Sequence, residues 1–284
     1  MHRTKYIVIG MGRSGTTLVH TCLKGHPNVV ATNDEVKVKP LFDQGLATYT
    51  MSGHAHLTEA EKQQGIPALF DAITAIDATE NTLATGCKVA LWSPDEASLL
   101  IHAIQKYLTN LKIIYVEREN WIAQYGSVLR AKITRQYHKW VDKKSQNHVK
   151  VNIPLKDFLE YACTCHKIKS EIAKLNKTHQ VYHLSYERDI LANNSRAYAK
   201  VFEFLGLPPV EITWVNSKKV APPPGEYILN YAYLSEQFER LKSHNFNISQ
   251  IRFSYQEKLS LWWQWLTPKM RKISSRINFL EGRQ

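Results

Sequence analysis

A glycine-rich stretch near the beginning of the chain, Gly10 to Thr17, has the residue types of an anion-binding loop. Its sequence, GMGRSGTT, follows the apolar run YIVI and precedes a helical pattern. A strand, a glycine turn and a helix start aim backbone N–H groups and a helix dipole at one point, where an anion binds. The hydroxyl groups of Ser14, Thr16 and Thr17 add further donors.

The lysine that nucleoside triphosphatases place after the second glycine of such a loop is absent. Thr16 stands at that position, and Arg13 lies inside the loop, before Gly15. Without the lysine, a triphosphate with its metal loses its main neutralising group. The arginine fork instead fits the oxygens of a smaller anion, such as a phosphate that bears one further group in transfer.

A second group of polar residues follows a strand in the middle of the chain. Arg118 ends a predicted strand, Ser127 follows nine residues later, and Arg130 lies one helical turn beyond it. An arginine at a strand end with a hydroxyl on the next helix predicts a second anion site. The alternative is a surface arginine that pairs with Glu117 or Glu119.

Short β-rich runs alternate with longer helical patterns, and these elements position the two groups. The predicted strands are Tyr6–Ile9, Val29–Thr32, Cys87–Leu91, Ile113–Val116 and Val181–Leu184. The predicted helices are Gly15–Lys24, Ile66–Ala75, Asp95–Tyr107, Trp121–Tyr137, Leu155–Leu175 and Ala197–Leu205. The alternation predicts an α/β fold, a P-loop-like three-layer sandwich around a mainly parallel sheet with helical additions. Ligands of such sheets bind at the carboxyl ends of the strands.

We predict a single domain over residues 1–284, divided into an α/β core with the cofactor site (1–220) and a C-terminal helical extension (221–284). The division falls in VAPPPGEY, Val220 to Tyr227, where three successive prolines argue against regular structure. Beyond Thr267 and Pro268 the pattern predicts a basic amphipathic helix. Such a helix packs on its own domain or makes a weak contact with an anionic membrane surface.

Composition narrows the class of protein further. The 284 residues are 44% hydrophobic, which is typical of a globular protein. The net charge of +12 suits an anionic partner, and the alternative is a basic protein without one. The N-terminus lacks the pattern of a signal peptide, and no apolar run is long enough for a membrane span. The spacing of Cys163 and Cys165 suits neither a redox pair nor a zinc site, so reduced thiols and a cytoplasmic location are expected.

Three stretches together resemble a known family: RSGTTL, the pair Arg118 and Ser127, and HLSYERDI followed by VFEFLGLP. They resemble sulfotransferases that use 3′-phosphoadenosine 5′-phosphosulfate (PAPS), over residues 5–36, 112–132 and 181–207. The pattern is closest to bacterial carbohydrate sulfotransferases of the nodulation-factor and trehalose type, which also have a glutamine before the serine, as at Gln124. The resemblance implies transfer of a sulfuryl group to a hydroxyl, less often an amine, of a small-molecule or carbohydrate acceptor.

The resemblance also implies which residues hold PAPS. The 5′-phosphosulfate would bind the loop residues Arg13, Ser14, Gly15, Thr16 and Thr17. The 3′-phosphate would bind Arg118 and Ser127.

Two further stretches match less specific positions of the family. Tyr186 matches a tyrosine that contacts the adenine, and its alternative is a buried strand aromatic. Lys218 and Lys219, in NSKK, match a basic loop that closes over the cofactor, and their alternative is an exposed lysine pair.

Transfer to an alcohol needs an in-line acceptor, stabilisation of the leaving oxygen and a base for the acceptor proton. Arg13 is placed for the leaving oxygen. The resemblance to carbohydrate sulfotransferases puts Glu35, downstream of GHPN, in the place of the base. Asp34 is the alternative.

Histidines are rivals for the role of base. Steroid and phenol sulfotransferases carry a KTHL motif whose histidine is the base, and the corresponding stretch here begins at Lys88 and has Ala90 at the histidine position. Lys88 stays a catalytic candidate by this match. His54 and His56 fall in an unmatched segment and could line an acceptor pocket, whereas His20 falls inside the first helix, where a packed side chain is expected.

Two other functions compete with sulfuryl transfer. A P-loop-related kinase would bind ATP with magnesium, but the loop lacks its lysine and no aspartate ends the strand before Arg118. A nucleotide- or nucleic-acid-binding module without catalysis would need one basic stripe with interleaved aromatics, whereas the basic residues here fall in separate groups. The arginines supply the charge for sulfuryl transfer, so we expect no metal and no nucleic-acid partner.

Overall fold

The computed structural model describes residues 3–33, 35–36, 59–75, 77–135, 149–191, 194–211 and 222–243. All of them belong to one compact unit, Met1–Phe246. A second unit, Asn247–Gln284, contains the predicted C-terminal helix and lies outside the described residues.

The unit is built on one sheet of five parallel strands. These strands are β1 Thr4–Met11, β2 Val29–Ala31, β3 Ala84–Leu91, β4 Leu111–Glu117 and β5 Val181–Ser185. Their order across the sheet is β2-β3-β1-β4-β5, and every pairing is parallel. The predicted α/β fold is therefore confirmed, and each strand contains or closely matches the run predicted for it.

Helices connect the strands and cover the sheet. They are α1 Thr16–Lys24, α2 Glu59–Thr74, α3 Pro94–Tyr107, α4 Trp121–Thr134, α5 Leu155–Ala173, α6 Asn194–Leu205, α7 Pro224–Tyr227 and α8 Tyr231–Ser243. A 3₁₀ turn, Lys174–Lys177, follows α5, and a π-helical turn, Tyr186–Leu191, follows β5. None of the helices among the described residues is long and apolar enough to cross a membrane.

The sheet buries both of its faces. Tyr6 and Val8 of β1 lie in a core cluster with residues of α1 and α6, such as Val19 and Phe202. Successive side chains of a strand point to opposite faces, so the buried Ile7 and its neighbours face the layer of α3 and α5. The result is the predicted three-layer arrangement, which leaves the carboxyl ends of the strands for a ligand.

Local signals explain where the helices beside the site begin and end. The Ser93 side chain accepts a hydrogen bond from the N–H of Glu96 at 3.1 Å, and Pro94 then starts α3. The side chain of Asn120 caps α4 by accepting the N–H of Ala123 at 2.9 Å. The predicted helix over Trp121–Tyr137 ends earlier, at Thr134, because Arg135 adopts a left-handed φ of 54°.

The proline segment differs from its prediction. The expectation of no regular structure over Val220 to Tyr227 is wrong for its second half, because Pro224 begins the short helix α7. A proline is tolerated in the first helical turn, where its missing N–H has no intrahelical partner to lose and its φ already suits a helix. Residues 212–221 lie outside the described part of the chain.

Candidate functional site

The glycine loop lies between β1 and α1, at the centre of the sheet. β1 is flanked by β3 and β4, so the strand order reverses at this point, which is where open α/β sheets bind ligands. The N–H of Gly12 donates to the carbonyl of Leu91 at 2.9 Å, and the N–H of Ser14 donates to that of Met11 at 3.0 Å. These bonds fix the loop to the ends of β1 and β3.

The loop turns into α1 through two residues with left-handed backbone. Arg13 has a φ of 67° and Gly15 a φ of 104°. The conformation is costly for an arginine by about 1–2 kcal/mol, and such strain is characteristic of ligand loops. Among the described residues no side chain caps the N-terminus of α1, so its first N–H groups remain suited to an anion.

Aromatic rings press against two of the loop glycines. A Cβ atom at Gly12 would lie 2.2 Å from Cη2 of Trp92, and one at Gly15 would lie 2.7 Å from Cδ2 of Tyr186. A side chain at either position would displace the ring or the loop. The two glycines therefore allow the rings to hold the loop backbone in place.

Lys88 brings a cation to the helix end of the loop. Its side chain is buried, and Nζ donates a hydrogen bond to Oγ1 of Thr17 at 3.0 Å. The same Nζ lies 3.3 Å from Oε2 of Glu35 in an ion pair. The N–H of Val36 also donates to the carbonyl of Lys88 at 3.0 Å, so the backbone after Glu35 is tied to β3. The structure thus brings together three residues that were predicted separately.

Arg13, Ser127 and Arg118 form a second cluster at the other end of the loop. Nε of Arg13 donates to Oγ of Ser127 at 3.1 Å, and Nη1 of Arg118 donates to the carbonyl oxygen of Arg13 at 3.3 Å. Nε of Arg118 lies 3.5 Å from Oε1 of Glu187. The residues predicted to form a second anion site therefore adjoin the loop, and Arg13 contacts both of them.

The two carboxylates considered as partners of Arg118 have other partners. Glu117 pairs with Lys169 at 2.5 Å and with His183 at 2.9 Å, and these contacts hold the pKa of its carboxyl below the usual value against the effect of burial. The carboxylate of Glu119 lies 2.7 Å from Arg188. Arg118 is therefore not drawn into a surface pair with either neighbour.

Tyr186 packs between the glycine loop, at Gly15, and the guanidinium of Arg118. Its ring is buried, occupies the space that a Cβ atom at Gly15 would need, and has the guanidinium of Arg118 4.9 Å from its centroid. Burial raises the pKa of the phenol, while the charge of Arg118 opposes that rise. The ring is buried, as the alternative expected, but it belongs to the π-helical turn after β5 and not to a strand, and the adenine contact stays a prediction.

Ser14 of the loop and Gln124 of α4 line the same small cavity. The Oγ of Ser14 is buried without a hydrogen-bond partner in the described part of the chain, and it lines a small cavity together with Met11, Glu117 and Trp121. The buried Gln124 lines the same cavity, and its Nε2 donates to the carbonyl oxygen of Gly12 at 2.9 Å. Gln124 therefore orients the loop from α4, a role that its position one turn before Ser127 could have suggested.

His20 is buried in α1, close enough to Lys88 to sense its charge. Its Nε2 lies 2.8 Å from the carbonyl oxygen of Thr32, and burial lowers the pKa of the imidazole to about 4 despite that bond. The nearby charge of Lys88 lowers the pKa further. The neutral ring thus links α1 to the chain that leads to Glu35, in agreement with the packed role expected for it.

Other candidates lie beyond the described residues. These are Asp34, His54, His56, Lys218 and Lys219. Within the described ranges, no group of three or more histidine, cysteine, aspartate or glutamate side chains is arranged to hold a metal ion.

Comparison with known proteins identifies the family. The sequence profile of the sulfotransferase family matches residues 6–211, a span that includes the glycine loop, Glu35, Lys88, Arg118 and Ser127. The match covers well over half of the chain, so the chain belongs to the sulfotransferase family. A search of curated protein sequences returned no significant match.

Several solved structures resemble the chain at low sequence identity. The sulfotransferase domain of the olefin synthase from Synechococcus is 17% identical, with a TM-score of 0.45, and the alignment covers 84% of this chain and 96% of that one. A sulfotransferase from Alicyclobacillus acidocaldarius is 14% identical, with a TM-score of 0.45 and coverages of 86% and 96%. A sugar kinase from Janibacter is 10% identical, with a TM-score of 0.35 and coverages of 73% and 97%.

Proposed function

We propose that the protein transfers a sulfuryl group from PAPS to a hydroxyl, less often an amine, of a small-molecule or carbohydrate acceptor. The observation that carries the proposal is that Nζ of Lys88 contacts both Thr17 and Glu35 at the helix end of the loop. A cation and a carboxylate side by side can serve the leaving oxygen and the acceptor proton of one in-line transfer. The family match supports the same reaction class.

The residues present fit a donor with two separated anionic groups. The uncapped N-terminus of α1, with Gly15, Thr16 and Thr17, suits the 5′-phosphosulfate. Arg118 and Ser127 suit the 3′-phosphate. We keep Lys218 and Lys219 as proposed closing residues on the strength of the resemblance.

PAPS, when bound, supplies the sulfuryl group and a stable bisphosphate leaving group. Lys88 replaces, from the neighbouring strand, the cation that the loop lacks at Thr16, and its Nζ is positioned at the loop hydroxyl of Thr17. Arg13 keeps its proposed role at the leaving oxygen, and through its Nε it also contacts Ser127 of the proposed 3′-phosphate site.

Glu35 is the proposed base. Its carboxylate is half-buried, is oriented by Lys88 and lies beside the loop, where an acceptor hydroxyl would approach. A base must come within hydrogen-bond reach of the proton that it removes, and the ion pair limits the positions that this carboxylate takes. Asp34 stays the alternative base.

Ligand-dependent thermal stability tests the proposal against its main competitor, a P-loop-related kinase. A ligand that binds the folded state raises Tm according to its affinity and concentration. We expect adenosine 3′,5′-bisphosphate to raise Tm more than ATP with magnesium at equal concentration. The reverse order would overturn the sulfotransferase proposal in favour of the kinase.

Turnover gives the second arm of the test. A panel of alcohol, amine and carbohydrate acceptors with sulfur-labelled PAPS should give a labelled product with at least one acceptor. Lys88→Met should abolish that product while the bisphosphate still raises Tm, and Arg196→Gln, which removes one exposed positive charge on α6, should behave as wild type. Binding of the bisphosphate without transfer to any acceptor would instead favour the non-catalytic nucleotide-binding alternative.

A further inference from the structure

A further arginine, buried as Arg118 is, lies on the helix that carries Ser127. Arg130 follows Ser127 by one turn of α4 and is only 3% exposed. Its Cζ atom lies 5.6 Å from the centroid of the Tyr227 ring. This tyrosine comes from α7, in the proline segment that the sequence placed outside the α/β core.

Tyr227 is held firmly against α4. Its hydroxyl donates to the carbonyl oxygen of Ala123 at 3.0 Å. A Cβ atom at Gly126 would lie 3.1 Å from Cε2 of Tyr227 and 2.5 Å from Cδ1 of Ile228, so the glycine permits this close approach. Ala123, Gly126 and Arg130 recur at helical spacing, which places Tyr227 along one face of α4, beside Ser127.

The backbone around Tyr227 is also fixed. The N–H of Val151 donates to the carbonyl oxygen of Tyr227 at 2.7 Å, and the N–H of Leu229 donates to that of Val151 at 2.9 Å. Asn230 closes the same contact, because its side chain bonds both the N–H and the carbonyl oxygen of Ile153. Hydrogen bonds therefore hold the backbone that carries the ring.

Three positive charges act on this ring. Burial raises the pKa of the Tyr227 hydroxyl, and the charges of Arg118, Arg130 and Arg13 oppose that rise. The guanidinium of Arg130 lies over the ring, and the charges of Arg118 and Arg13 act on the same hydroxyl, so a multiply charged anion beside them would be stabilised by their combined charge. A phosphate monoester, with up to two negative charges and three acceptor oxygens, has this chemistry.

We propose that Arg130 is a further binding residue of the site formed by Arg118 and Ser127, and that Tyr227 positions it. Together they determine the preference for a nucleotide with a terminal 3′-phosphate. This inference rests on the proposed function, because it takes the 3′-phosphate of the donor as the anion of that site. By this inference the segment around α7 is part of the donor site and not only an extension of the α/β core.

The ratio of two affinities tests the inference. Calorimetric titration of the full chain with adenosine 3′,5′-bisphosphate and with adenosine 5′-monophosphate gives a selectivity, which a merely structural change would leave unaltered. Arg130→Gln should lower this ratio by about 10- to 100-fold, the loss typical of a charge-assisted contact. Arg130→Lys should lose less, since it keeps the charge without the planar fork.

Variants of Tyr227 separate positioning from folding. Tyr227→Phe keeps the ring and should keep most of the selectivity, whereas Tyr227→Leu should lose it as Arg130→Gln does. Arg196→Gln serves as the control for a lost positive charge away from the site and should leave the ratio unchanged. If Tyr227→Leu does not fold, the comparison of Arg130→Gln with Arg130→Lys decides alone.

The outcomes distinguish this inference from the proposed function. A selective wild type whose ratio is unchanged in Arg130→Gln overturns the inference and leaves the proposed function standing. A loss of affinity that is equal for both nucleotides overturns it as well. A wild type that does not prefer the bisphosphate overturns the proposed donor, and this inference with it.

Discussion

Lys88 and Glu35 form an ion pair whose Nζ–Oε2 distance is 3.3 Å, although β3 supplies the lysine and the chain after β2 supplies the carboxylate. Because β2 and β3 are neighbours in the sheet, both side chains reach the same end of the glycine loop. The pair gives the loop a buried lysine and a carboxylate, neither of which its own sequence contains.

The first prediction concerns the carboxylate of this pair. Glu35→Gln removes the basic oxygen but keeps the shape of the side chain, so kcat should fall by about 10²- to 10⁴-fold. The affinity for adenosine 3′,5′-bisphosphate should stay close to that of wild type. Asp34→Asn is the matched comparison, and a larger loss of kcat in that variant would transfer the role of base to Asp34.

The second prediction concerns Arg118. Arg118→Ala should weaken binding of adenosine 3′,5′-bisphosphate by about 10- to 100-fold, because it removes a charge-assisted contact to the 3′-phosphate. Binding of adenosine 5′-monophosphate should change little. Calorimetric titration measures both affinities, and equal weakening of the two ligands would contradict the assignment.

The third prediction concerns the contact between the loop and Trp92. Gly12→Ala places a methyl group where the indole lies 2.2 Å away, and overpacking of this kind costs about 1–3 kcal/mol. Urea unfolding should show this loss. Gly225→Ala, whose added methyl group meets no atom within 4 Å, should show none. Equal stability of Gly12→Ala and wild type would show that the indole moves freely.

The fourth prediction concerns pH. The pKa of His20 is lowered from 6.5 to about 4 in the folded protein, so the unfolded chain binds the proton first as pH falls. The neutral ring contributes stability above pH 6.5 that is lost as pH falls toward 4, and the linkage relation gives about 2 kcal/mol between pH 7 and pH 5.

Urea unfolding at these two pH values measures that loss. In His20→Asn the stability should depend less on pH by about this amount. His102→Gln, at an exposed position of α3, should keep the pH dependence of wild type. If the free energy of unfolding of His20→Asn depends on pH as strongly as that of wild type, His20 is not a buried neutral side chain in the folded protein.

The parts of the site that the sequence predicted correctly are local ones. The strand, glycine turn and helix of the loop depend on neighbouring residues, and so does the placement of Ser127 on the helix that follows Arg118. Short-range patterns of apolar residues and glycines carry this information. The five parallel strands followed from the same patterns.

The contacts that the sequence did not predict depend on strand order and side-chain direction. The pairing of Lys88 with Glu35 requires β3 to lie between β1 and β2, which periodicity does not specify. The inward direction of the Ser14 hydroxyl depends on the exact turn of the loop. The contact of Arg130 with Tyr227 requires the chain to return to α4 after the proline segment, and no local pattern encodes that path.

The central position of β1 has a consequence for biosynthesis. A ribosome releases this apolar strand before either of its neighbours exists, since Thr4 pairs with Ala84 and Lys5 pairs with Leu111. Until β3 and β4 emerge, the nascent chain exposes both edges of β1, which invites association with other chains. Cotranslational folding of this unit should therefore depend on chaperones that shield the emerging N-terminal strand.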